Sequence, residues 1–200
     1  MLEWGVAALP LPGQTDCGDH HVVQGFAGGV LVAVIDAIGH GAEAARVAGL
    51  AAGVLERHPA EPVDALLLKC HERLRGSRGA AISVASFDHR SRTMTWLGVG
   101  NVNGILVHSG ARPKPRPESL LVRGGMVGDH LPGLEFSGIP VERGDMLIIV
   151  TDGVGSHFTE AVLDMPEPQR LAERIQRGYA KATDDSLVLV ARCAPADLRP

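Results

Sequence analysis

Between residues 80 and 151 the chain carries five strand patterns with short connections, at Ala80–Phe87, Thr93–Leu97, Asn103–His108, Ser119–Arg123 and Asp145–Thr151. Parallel neighbours need crossovers of about a dozen residues, usually helical, so strands spaced like these pair antiparallel. Two earlier strands, 20–26 and 30–36, meet at the glycine turn Ala27-Gly28-Gly29. From Gly41 to Arg57 apolar residues fall at helical spacing (Ala44, Val47, Ala48, Ala51, Leu55), and His58-Pro59 stops the helix. A second helix runs from about Pro62 to Leu74 with Gly76 past its end, a third lies near Pro168–Gly178, and Ser186–Arg192 is a last strand. This order predicts an α+β fold with helices packed on sheets. A doubly wound nucleotide-binding fold is excluded.

Two hundred residues suit one domain with a real core. A net charge of -4 gives no electrostatic case for nucleic acid, and no basic helix suggests a membrane surface. No Lys or Arg precedes Arg46, which removes the basic start of a secretory signal. The longest aliphatic run, Val30–Ile35, is too short to span a bilayer. Cys17, Cys70 and Cys193 form no CxxC pair and are odd in number, so reduced thiols and a cytoplasmic location are expected. The stretch ARPKPRPES (111–119) alternates Pro with basic residues and reads as an extended, solvated loop. Its Arg112, Lys114 and Arg116 could help dock an acidic or phosphorylated partner.

The chemistry is carried by aspartates at strand ends. Asp36 ends the apolar strand in VAVIDAIGHG (32–41), and Asp152 does the same in LIIVTDG (147–153). Asp184 and Asp185 open the last strand in DDSLVLV (184–190). If that strand pairs antiparallel with 145–151, Asp152 and the Asp184–Asp185 pair fall at one sheet edge. Asp19 precedes the strand that hairpins into Asp36, so it can reach that edge too. A single aspartate at a strand end is usually a turn residue. A gathered set repels unless cations neutralise it, and oxygen-only donors suit magnesium or manganese. Two such ions about 3.5–4 Å apart could activate a water and hold a phosphoryl group, which makes Asp36 a candidate metal ligand.

At these residues the chain resembles the metal-dependent protein phosphatases of type 2C, the PPM family. CGDHH (17–21), VIDAIGHG (34–41), IVTDGV (149–154) and TDDSLVLV (183–190) match in order. GVGNVNGIL (98–106) resembles the pattern of the family's short bacterial branch of stress-response and sporulation phosphatases, in particular the stand-alone feedback phosphatases of stressosomes. The resemblance spans nearly the whole chain and implies that 1–200 is a single catalytic domain. It implies a four-layer αββα sandwich of two antiparallel sheets flanked by helices. The implied activity is that of a protein-serine/threonine phosphatase with two divalent ions, manganese or magnesium. In such enzymes a metal-bridging water attacks phosphorus in line, and no phosphoenzyme forms.

Carried over residue by residue, Asp36 bridges both ions and the main-chain carbonyl of Ala37 binds one. Asp152 and Asp184 hold the other, Asp19 ligates directly or through water, and Asp185 shares or replaces the role of Asp184. The implied partners are phosphorylated STAS-domain proteins of a stressosome, met by a monomer that acts as negative feedback on stress signalling. A phosphorylated anti-sigma factor antagonist is the alternative substrate.

This chain departs from the family at three places. Ala37 stands where Gly is usual, so its carbonyl can ligate only at negative φ. The early phosphate-binding arginine of many relatives has no counterpart, and Asn101 replaces the aspartate that supports a third metal in some bacterial members. His40 is a candidate general acid to the leaving alkoxide, or equally a structural residue fixing the loop or the helix start. His20, His21 and His157 read as strand and turn residues. Cys17 lies in no loop of amide donors backed by arginine, Ser156 in no GxSxG elbow, and GVGNVNG has the wrong spacing for a dinucleotide. A non-catalytic phosphoprotein-binding domain would be marked by loss of a metal aspartate, and the principal ones are present.

Overall fold

A computed structural model describes residues 2–110, 117–162 and 167–194. One sheet has the order β1 (Leu2–Leu9), β11 (Ser186–Cys193), β10 (Met146–Val150), β6 (Asn103–Val107), β7 (Pro117–Ser119). The other runs β2 (Asp19–Phe26), β3 (Gly29–Ala37), β4 (Ala80–Asp88), β5 (Thr93–Val99), β8 (Val122–Arg123), with β9 (Ser137–Pro140) also on β5. Among the described residues every strand pair is antiparallel except β5 with β8. The helices α1 (Gly41–Arg57) and α2 (Val63–Leu74) cover the second sheet. On the first sheet lie α3 (Pro168–Tyr179) and a 3-10 segment, Ser156–Val162.

The near-continuous apolar run of β3 follows from this layering. Leu31, Ala33 and Ile35 join the core under α1 and α2, while Val32 and Val34 join the core between the sheets. Alternate side chains thus enter different cores, which is the period of two with both faces covered. Helix α1 sends Ala44, Val47, Ala48, Ala51 and Leu55 into the first of these cores. A third core joins Ile148, Val150, Val188 and Val190 to Leu171 and Ile175 of α3. Three cores between successive layers make the expected αββα sandwich.

Several elements differ from the sequence expectation. Strand β1 gave no signal because it is an edge strand with only Gly5 fully buried. A Cβ at Gly5 would come within 2.3 Å of the Gln169 Cα, so α3 lies directly against the strand there. The Gln169 amide then closes the strand edge, its Nε2 donating to the Val6 carbonyl and its Oε1 accepting from Val6 N, each at 3.0 Å. The expected strand Ser119–Arg123 is instead a crossing between sheets. Ser119 ends β7, Leu120 is buried in the core between the sheets, and Val122–Arg123 form β8 on the other sheet. Trp96 Nε1 pins the crossing by donating to the Leu121 carbonyl at 2.8 Å.

Asp145 stands just outside β10, its carboxylate accepting from Ser109 N and Glu142 N at 2.9 Å. Within the Pro/basic stretch, residues 117–119 are strand rather than loop, while 111–116, with Arg112, Lys114 and Arg116, lie outside the described residues. Among the described residues no helix is long and apolar enough to cross a membrane.

Candidate metal centre

Asp19 and Asp36 face each other in register across the β2–β3 pair. Strands β10 and β11 pair antiparallel as expected, which sets Asp152, just past β10, beside the Asp184–Asp185 start of β11. The Thr151 side chain joins the two sheets here. Thr151 Oγ1 donates to Asp19 Oδ2 at 2.7 Å and accepts from Leu187 N at 2.9 Å. The glycine of Thr-Asp-Gly has a steric reason, since a Cβ at Gly153 would fall 1.8 Å from the Asp185 carbonyl oxygen. The turn after β10 can close on β11 only without a side chain at that position.

This gathering is electrostatically costly. Burial, and then the charge of Asp36, pushes the Asp19 carboxyl from 3.8 up to about 8, against the lowering hydrogen bond from Thr151. Burial, followed by the charges of Asp152, Asp184 and Asp185, raises Asp36 from 3.8 to about 7. Asp152 is raised by burial and then by Asp184, and eased by Lys181 and by Asn101. Its Oδ2 accepts from Asn101 Nδ2 at 2.7 Å, and its main-chain carbonyl accepts from Lys181 Nζ at 2.5 Å.

The adjacent aspartates are not equivalent. Asp185 is buried, its Oδ1 accepting from Leu11 N at 2.6 Å and its Oδ2 from Gly18 N at 2.7 Å. It ties the 11–18 loop to β11. Asp184 is half-buried, and its Oδ1 accepts from Asp185 N at 2.9 Å. Ala37 closes β3, its N–H donating to the Gly18 carbonyl at 3.2 Å. Arg92 is the non-glycine with positive φ among the described residues, so Ala37 meets the backbone condition for carbonyl ligation. His40 is exposed at the N-cap of α1 and makes no side-chain capping bond. Burial first, with help from the nearby aspartates, pushes the Cys17 thiol up to about 12, the wrong direction for a thiolate nucleophile.

Crowded carboxylates with oxygen donors alone fit hard divalent cations. Among the described residues no three His, Cys, Asp or Glu side chains form a ready-made cage, so an ion would draw these groups inward. A pH dependence follows. Asp19 and Asp36 hold their protons to higher pH folded than unfolded, so the metal-free fold loses stability as pH rises from about 4 through 7 to 8. Thermal unfolding in chelator is expected to show Tm falling across that window. Magnesium or manganese should raise Tm by more at pH 8 than at pH 6. A cation effect that shrinks as pH rises would contradict the assignment of these two groups.

Known proteins share this fold. The model for the SpoIIE family, stage II sporulation protein E, matches residues 27–194. Phosphoserine phosphatase RsbX of Bacillus subtilis (strain 168) is 27% identical over 150 residues, 74% of this chain and 73% of that protein. A solved chain described with the bacterial stressosome, "a modular system that has been adapted to control secondary messenger signaling", superposes with a TM-score of 0.87 at 28% identity, over 96% of this chain and 100% of that one. RsbX in complex with magnesium superposes with a TM-score of 0.84 at 20% identity, over 96% of each chain, a likeness of fold. The chain belongs to the SpoIIE family and has the fold of the PP2C phosphatases.

Proposed function

We propose that this protein is a divalent-metal-dependent phosphoserine/phosphothreonine protein phosphatase of the RsbX kind, acting on phosphorylated STAS-domain proteins of a stressosome as negative feedback. The observation that carries the reading is the in-register Asp19–Asp36 pair, locked by Thr151 to the edge where Asp152 and Asp184 lie. In this reading Asp36 would hold both ions, the Ala37 carbonyl would serve one, Asp152 and Asp184 would serve the other, and Asp19 backs Asp36 from the buried side. Asp185 braces the loop beneath them. Bound magnesium or manganese would supply Lewis-acid activation of a water and neutralise charge on the phosphoryl group. The chain's own residues do the positioning. Thr151 orients Asp19 and Asn101 orients Asp152, and His40, exposed at the N-cap of α1, is the candidate to give a proton to the leaving serine oxygen.

The name of RsbX, a phosphoserine phosphatase, and the stressosome context of the 28% identical chain support the substrate class. Asp36, Asp152 and Asp184 stand at strand ends, and recognition is expected to rest on docking to a folded partner. Phosphate release from intact phosphorylated STAS domains is therefore expected to exceed that from excised phosphopeptides by about tenfold or more in kcat/KM. Equal efficiency on the two would overturn docking and the dedicated stressosome role with it.

A further inference from the structure

A phosphorylated side chain carries about two negative charges and must approach an end of the sandwich lined by carboxylates. A cation on the rim would ease that approach, and the structure holds Arg78 there, in the turn between α2 and β4. That turn is fixed to the loop after Asp36 by main-chain bonds. Ile38 N donates to the Gly79 carbonyl at 3.1 Å, and Ala37 pairs with Ala80. The guanidinium lies against the bare face of Gly39, whose φ is +90°. A Cβ there would stand 2.7 Å from Arg78 Nη1.

Its one acidic partner among the described residues is Glu43, which accepts from Arg78 Nη2 at 3.3 Å. The two side chains are 49% and 54% exposed, and an ion pair that open to water is weak. A phosphoryl dianion can therefore displace Glu43, and a guanidinium fork suits its oxygens. Lys181, which also lies near these carboxylates, is already committed to the Asp152 carbonyl at 2.5 Å.

We propose that Arg78 binds a non-bridging oxygen of the substrate phosphoryl group, with Glu43 as its resting partner. This rests on the phosphatase reading above. The test compares wild type with Arg78→Ala, Arg78→Lys and Glu43→Gln, using a phosphoserine protein as substrate. Calorimetry on the metal-loaded protein measures inorganic phosphate binding separately. Arg78→Ala should raise KM and weaken phosphate binding by about tenfold to a hundredfold, with kcat falling less and with Tm and manganese binding unchanged. Arg78→Lys should recover part of the loss, since it keeps the charge without the fork. Glu43→Gln should leave phosphate binding equal or tighter.

Unchanged KM and phosphate affinity in Arg78→Ala would overturn the proposal. So would a Glu43→Gln variant that reproduces the Arg78→Ala loss, because the ion pair rather than the guanidinium would then be the functional unit. A wild type inert toward phosphoproteins with either metal would defeat the phosphatase reading instead, and phosphate binding would still report on Arg78.

Discussion

Asp36→Asn is expected to lower kcat on a phosphoserine protein by about a thousandfold or more, while the metal-free protein becomes more stable. The two effects have one cause. Burial first, and then the charges of Asp152, Asp184 and Asp185, raise the half-buried Asp36 carboxyl to about 7. Asparagine keeps the volume and removes the repulsion, so stability in chelator at pH 8 should rise by on the order of 1–3 kcal/mol, read as a higher Tm. The same change removes the carboxylate that would hold both ions. A strained, like-charged site stabilised by a neutralising mutation is the usual trade between function and stability. Retained activity in Asp36→Asn, or a lower Tm at pH 8, would remove Asp36 from the centre of the site.

The largest effect on stability should come from the next-door pair, and it separates two residues that the sequence leaves equivalent. Asp185→Ala strips the partner from Leu11 N and Gly18 N, both hydrogen-bonded to a charged acceptor. The expected loss is about 2–5 kcal/mol, or a fall in Tm on the order of 10 °C for a chain of this size. The comparison belongs near pH 6 in chelator, below the raised values of about 7 for Asp36 and about 8 for Asp19, so relief of repulsion does not mask it. Asp184→Asn should leave Tm unchanged or higher and abolish metal-dependent phosphate release. The opposite pattern would move the ligand role to Asp185.

The legible parts of this fold were those where one element's own pattern is enough. Strand β3 alternates between two cores, and α1 shows its buried stripe at helical spacing, so both were readable from residues 29–57 alone. Asp19 and Asp36 were placed together by a hairpin, and Asp152 and Asp184 by one antiparallel pair, both short inferences. Strands β1, β7 and β9 are largely exposed edges with few buried positions, so no periodicity marked them.

The division of labour within the site depends on long-range bonds that no local pattern encodes. Asp185 reaches Leu11 across 174 residues of sequence, and Thr151 reaches Asp19 across 132. The Thr of Thr-Asp-Gly was in plain view, but its partner belongs to the other sheet. Arg78 is the same case. Its sequence neighbours mark only a turn after α2, and its place beside Gly39 exists only once β3 and β4 have paired.

The central claim is that divalent ions held by this aspartate cluster drive phosphate release. Phosphate freed from a phosphoserine protein should be measured across a titration from excess chelator to excess manganese or magnesium, before and after alkylation of the thiols. Activity should vanish in chelator, return fully with either ion, and be indifferent to alkylation, since the Cys17 thiol is pushed up to about 12. Full activity in excess chelator would contradict the account.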